Sequence, residues 1–162
     1  MELLRTQMQA GRPATDLTLA VMAEMIRHAA TTERMRYQAI DLVRSYWASS
    51  PAAYVRAIRE FVVCNVMLIH EPDEILICPI RMLDDIDAGR AAGDCDDVVL
   101  LGASLLTALG ILVRIKAVFP APEGHYQHVF LEYKLDGDIW RPLDFTIRGI
   151  PVYPSDFIIM DI

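Results

Sequence analysis

Apolar positions in the first half of the chain recur at intervals of three and four, the period of helices that bury one face. Leu17, Leu19, Val21, Met22, Met25 and Ile26 mark a first helix, with Thr15 or Asp16 as its N-cap. Thr31-Thr32-Glu33 opens a second, whose apolar positions are Met35, Ile40, Leu42, Val43 and Trp47. Ser49-Ser50-Pro51 ends that helix and starts a third, with Pro51 in the first turn. Tyr54, Val55, Ile58, Phe61 and Val62 form its core side, which extends toward Met67-Leu68-Ile69 and His70. Glu71-Pro72-Asp73 breaks the pattern. A short helix from Ile80 to Ile86 and a small-residue loop, Gly89-Arg90-Ala91-Ala92-Gly93, follow. Residues 95–109 are apolar on nearly every side, as in a helix buried in the middle of a domain. Gly110 suits its C-terminal stop. Beyond it the period shortens to two, and Leu112 to Phe119, His128 to Leu135 and Ile139 to Asp144 read as strands. No repeat or linker divides the chain. The pattern predicts one domain over 1–162, with 1–50 as a helical extension on a core of 51–162.

Composition narrows the class. The chain is 54% apolar and 23% charged, which excludes a disordered protein. Its mean hydropathy of +0.29 raises the question of a membrane span. No run reaches the roughly 18 uninterrupted apolar residues a span needs, since Gly102, Ser104 and Thr107 interrupt the longest block. Acidic residues outnumber basic ones by 22 to 15, giving a net charge of −7 without basic clusters. Neither nucleic acid nor a membrane surface is an expected partner. The N-terminus lacks the basic start and apolar run of a signal peptide. Cys64, Cys78 and Cys95 match no CxxC spacing and cannot form a closed disulfide framework. The expectation is reduced thiols in a cytoplasmic protein with no cofactor.

Cys64 and Cys78 read as packing residues, because a free cysteine packs as a small hydrophobe. Cys95 differs. In Gly93-Asp94-Cys95-Asp96-Asp97, Asp94 is the N-cap and Asp97 stands three residues on, which places Cys95 at the first helical position. Unsatisfied N–H groups and the positive end of the helix dipole favour a thiolate there. Asp94, Asp96 and Asp97 oppose it as like charges, so a cationic partner is required. His28 and His70 read as surface residues at helix ends, and His125 lies in a loop. His128 begins an alternating strand, and Asp136-Gly137 turns the chain toward a returning strand that ends at Asp144. Parity decides whether these two meet. A two-residue turn sets Phe145 opposite His128. A three-residue loop, 135–137 with Gly137 left-handed, pairs Lys134 with Asp138 and sets Asp144 opposite His128. The three-residue loop, or another of the same parity, is predicted.

Three motifs resemble a family. Gly93-Asp94-Cys95-Asp96-Asp97, followed by Leu105-Leu106-Thr107-Ala108-Leu109-Gly110-Ile111 and Arg114, resembles the nucleophile helix of transglutaminase-like cysteine enzymes. His128-Val129-Phe130-Leu131-Glu132 resembles their histidine strand, and Trp140-Arg141-Pro142-Leu143-Asp144-Phe145-Thr146 their aspartate strand. The likeness covers roughly residues 55–150, in family order, and the GDCDD form and small size are most similar to bacterial or prophage-encoded members. It implies an α+β, papain-like architecture, with the Cys95 helix packed on an antiparallel sheet carrying His128 and Asp144. It implies that Cys95 attacks a carboxamide in a protein or peptide substrate and forms a thioester, that His128 manages the proton, and that Asp144 orients the imidazole. Water as acceptor gives a protease or amidase; an amine gives a transglutaminase. No calcium requirement is implied. One departure stands out: related enzymes draw an oxyanion donor from an upstream Trp or Gln side chain, and residues 48–94 contain neither. The Cys95 N–H is one donor, and Asn65 is a candidate for another, with Asp94 as a supporting residue. Losing one such donor costs about 10²–10³ in rate. Two other readings compete with the enzyme: a non-catalytic module of the same fold, and a metal site drawn from Asp94, Cys95, Asp97, His125 and His128.

Overall fold

The four strands of the main sheet follow all five helices in the computed structural model, which describes residues 12–70, 75–119, 128–137, 139–147 and 156–162. The helices are α1 (Arg12–Thr31), α2 (Glu33–Ser45), α3 (Pro51–Asn65), α4 (Pro79–Asp87) and α5 (Cys95–Ala108). The strands are β1 (Met67–Leu68), β2 (Ala92–Gly93), β3 (Leu112–Val118), β4 (His128–Lys134), β5 (Trp140–Leu143) and β6 (Phe157–Asp161).

Local chemistry sets several boundaries. Thr32 caps α2 by accepting from the Met35 N–H. Ser50 caps α3 by accepting from Ala53, with Pro51 beginning the helix. The expected cap of α1 at Thr15 or Asp16 is corrected. The helix already starts at Arg12, and Thr18 turns its hydroxyl back onto the Ala14 carbonyl inside it. In α2 the buried stripe is Met35, Ala39 and Leu42. That stripe leaves Ile40 at 45% and Trp47 at 89% exposure, so neither is a core position. Trp47 lies beyond the helix, with a left-handed φ of 50°. α3 stops at Asn65 because Val66 is extended. Met67–Leu68 are therefore not helical, and His70 does not end the helix. They are an exposed strand paired in parallel with Ala92–Gly93, which lies within the predicted loop. Cys64 is exposed, correcting its assignment to the core, since the buried stripe of α3 runs through Val55, Ile58, Phe61 and Val62. Cys78 is half-buried at the N-cap position of α4.

The main sheet runs β5-β4-β3-β6, antiparallel throughout. β6 is a strand that alternation does not mark. It closes the outer edge of β3 from Val118↔Phe157 to Arg114↔Asp161. α5 lies at the centre, buried from Asp96 through Leu106. Helices α1 to α4 contact it, as do β3 and β4 of the sheet. Val113, Ile115 and Ala117 of β3 and Val129 and Leu131 of β4 belong to the same core as Leu19, Met22 and Ile26 of α1. Leu100, Leu101, Leu105 and Leu106 are fully buried. At about 1.5–3 kcal/mol per buried side chain, they fix α5 against displacement. Gly110, with φ of 77°, ends it as expected. Among the described residues no helix is long and apolar enough to cross a membrane.

Candidate active site

Asp94 caps α5 by accepting from the Asp96 N–H at 3.0 Å. Asp97 completes a capping box, its Oδ2 accepting from the Asp94 N–H at 3.2 Å. Its Oδ1 accepts from the Ile77 N–H at 2.7 Å, which ties the chain before α4 to the start of α5. The buried Asp97 therefore holds the backbone on both sides of the Cys95 position. Gly93 leaves room for it: a Cβ there would stand 2.5 Å from Asp97 Oδ2. His125, another member of the metal set, lies outside the described residues. Asp94, Cys95 and Asp96 keep ligand atoms within 4.8 Å of one another.

Cys95 is the first residue of α5, as its capping residues dictate. Its thiol stands 3.7 Å from Asp96 Oδ1, to which it donates. The backbone N–H of Val129, on β4, lies near enough to the sulfur to favour its charged form. The thiol therefore lies against the strand that starts with His128. Burial, first, and the Asp96 charge push this thiol from 9.0 up to about 12, with Asp94 adding to them. The Val129 N–H works in the opposite direction. At neutral pH the resting group is a thiol.

His128 and Asp144 meet, with Nε2 and Oδ2 2.6 Å apart. The route is longer than the predicted loop. Lys134 pairs with Trp140 and Leu131 with Leu143, so five residues, 135–139, connect β4 and β5. The three-residue loop is corrected, while the odd parity stands. Gly137 has its left-handed φ, at 92°, and Asp138 lies outside the described residues. Continuing this register sets Asp144 opposite Phe130, so it reaches His128 along the diagonal of one sheet face. Asp144 is buried. Its other oxygen, Oδ1, accepts from the Thr146 N–H at 2.8 Å and the Thr146 hydroxyl at 2.7 Å. Because an ionised carboxylate only accepts, Nε2 carries the imidazole proton, and Nδ1 is the nitrogen turned away from Asp144. The imidazole stacks on Phe130, with centroids 6.2 Å apart.

His128 and Asp144 thus meet beside the end of β5, and Cys95 stands at the start of α5 near Val129, the residue that follows His128 in β4. Asn65 does not join them: it is exposed and donates to the Phe61 carbonyl of its own helix at 2.8 Å. Asp94 is committed to capping. His28 and His70 are exposed. Sequence reasoning gave no role to Thr146, although an Asp followed two residues later by a Thr is a recognisable local hydrogen-bonding spacing. It also missed the seat of Phe145, between those two residues. Gly102 of α5 approaches that ring so closely that an added Cβ would lie 2.5 Å from Cε2 and 3.0 Å from Cε1.

No family model matches the chain, and no curated protein does. Solved structures do. A candidate protease from Parabacteroides distasonis matches 88% of this chain and 31% of its own, at 15% identity and a TM-score of 0.55. A candidate cysteine protease from Cytophaga hutchinsonii matches 78% of this chain and 43% of its own, at 23% identity and a TM-score of 0.52. The chain spans less than half the length of either. What they share with it is a fold, and that fold is an α+β papain-like core.

Proposed function

We propose that the chain is a thiol enzyme acting on amide bonds of a protein or peptide, of the transglutaminase-like kind its motifs resemble. The observation that carries this reading is the 2.6 Å contact between His128 Nε2 and buried Asp144, on the strand whose Val129 N–H lies near the Cys95 sulfur. Cys95 Sγ attacks a carboxamide carbonyl while its proton passes to His128 Nδ1. The resulting imidazolium protonates the leaving amine as the C–N bond breaks and a thioester remains. Water or a second amine then attacks the thioester carbonyl, loses a proton to His128, and releases Cys95. Asp144 holds the ring and stabilises its charged form. With the thiol pushed up to about 12, its proton leaves during attack and not beforehand. The protease names of the two fold neighbours support the reading at the level of fold.

A binding module of the same fold is the second reading. It is favoured by that same raised thiol and by the commitment of Asn65 to its own helix.

Acetyl transfer from p-nitrophenyl acetate separates the two, followed residue by residue by mass spectrometry at pH 7. An enzyme acetylates Cys95 faster than the exposed Cys64 in the same chain, and His128→Ala abolishes the advantage. A binding module acetylates Cys64 first and ignores the His128 substitution.

A further inference from the structure

We infer that Thr146 is a positioning residue, whose hydroxyl aims the Asp144 carboxylate at His128 and so fixes the imidazole tautomer. This deepens the proposed reading of the site and rests on it. Asp144 follows Leu143, the last residue of β5 in the ladder with β4, so strand pairing does not hold its side chain. A carboxylate free to rotate presents either oxygen, at a range of angles. Here both ends are taken. Oδ2 faces Nε2 at 2.6 Å, and Oδ1 accepts twice from Thr146, at 2.8 Å from the N–H and 2.7 Å from the hydroxyl. Phe145, between the two residues, is 3% exposed and seated against Gly102. That contact ties the Asp144–Thr146 turn to the helix that carries Cys95. The hydroxyl is the part of this arrangement that can be removed without touching backbone. Losing it takes away one of the two donors that Thr146 offers Oδ1 and lets the carboxylate turn. The preference for a proton on Nε2 then weakens, and Nδ1 is less often the basic nitrogen. Hydrogen bonds that orient a functional side chain from behind are worth about 10–100-fold in activity at metal sites, and ~10-fold is expected here.

The test uses the full chain with Thr146→Val, which removes the donor at equal size, Thr146→Ser, which keeps it, and Thr146→Ala as a second deletion. The readout is ¹⁵N NMR of the neutral His128 ring. Wild type and Thr146→Ser should show the Nε2–H tautomer, and Thr146→Val and Thr146→Ala a mixture with Nδ1–H. Acetylation of Cys95 by p-nitrophenyl acetate should fall ~10-fold in the two deletions and recover in Thr146→Ser. An unchanged tautomer in both deletions overturns the inference, as does Thr146→Ser behaving like Thr146→Val. If wild-type Cys95 is no faster than Cys64, the enzyme reading fails, and the tautomer comparison still decides the role of Thr146.

Discussion

Replacing Gly102 with alanine sets two effects of known size against each other. In an open helix the change stabilises by roughly 1 kcal/mol, because glycine is the poorer helix former. At this position the new methyl would stand 2.5 Å from Cε2 and 3.0 Å from Cε1 of Phe145. Carbon atoms pack at about 3.5–4.0 Å, so one group must move by an ångström or more. Phe145 has no solvent side to retreat to at 3% exposure. Overpacking of this kind costs about 1–3 kcal/mol, occasionally more. The upper part of that range less the propensity gain gives a net loss of ~2 kcal/mol. Urea unfolding followed by circular dichroism measures it, in Gly102→Ala, Phe145→Leu and the double variant. The smaller side chain leaves space for the methyl, so the double variant should be more stable than the sum of the singles by about 1–2 kcal/mol. Cys95 acetylation should fall in Gly102→Ala, since Phe145 lies between Asp144 and Thr146. A gain in stability from Gly102→Ala, or strict additivity in the double variant, would refute the close-approach argument.

Three further outcomes are expected. The folded chain keeps the Cys95 proton to about pH 12, whereas an ordinary thiol releases it near 9.0. The stabilisation by this buried thiol is therefore complete below pH 9 and is lost as the pH climbs toward 12. At ~1.36 kcal/mol per pH unit this amounts to at most roughly 4 kcal/mol. Denaturation of wild type against Cys95→Ala across pH 8–12 should show the wild type losing ground. Asp97→Ala removes the acceptor for the N–H groups of Ile77 and Asp94 and should cost ~2–4 kcal/mol, at about 1–2 kcal/mol for each of the two half-buried donors it strands, the lower part of the usual range. Hydrogen exchange at Ile77 should speed up in that variant, and an unchanged rate would contradict its anchoring role. Maleimide should label Cys64 in the native protein before Cys78, because Cys64 is exposed and Cys78 is partly covered; slow labelling of Cys64 would contradict its placement on the outer side of α3.

The most legible parts of the molecule are those where one local rule acts alone. Residues 95–109 lack a polar side, and α5 is buried accordingly. Gly-Asp-Cys-Asp-Asp predicts a cap and places Cys95 at the first helical position, and the capping box forms there. The parity linking His128 and Asp144 was legible because side chains alternate with period two. Loop length was not, since three and five residues leave the same face toward His128. Harder to read were features decided by partners distant in the chain. Phe157-Ile158-Ile159-Met160 shows no alternation, and only the edge of β3 makes it a strand. β1 and β2 are two residues each, too short for any period. Ile40, Trp47 and Cys64 were misread because apolar character alone does not say which side of a helix a neighbour covers. The double hold of Thr146 on Asp144 depends on a turn that no period describes.

The strand order β5-β4-β3-β6 carries a consequence for biosynthesis. β3 leaves the ribosome first among these strands, and the segment that shields its far side leaves last. Until Phe157–Asp161 arrives, the Leu112–Val118 backbone offers unpaired N–H and C=O groups to any extended chain nearby. The hairpin bearing His128 and Asp144 assembles on the opposite flank, without needing that final segment. Lesions in β6 should therefore show as poor yield and aggregation during expression, while whatever chain escapes into solution keeps an intact His128–Asp144 pair.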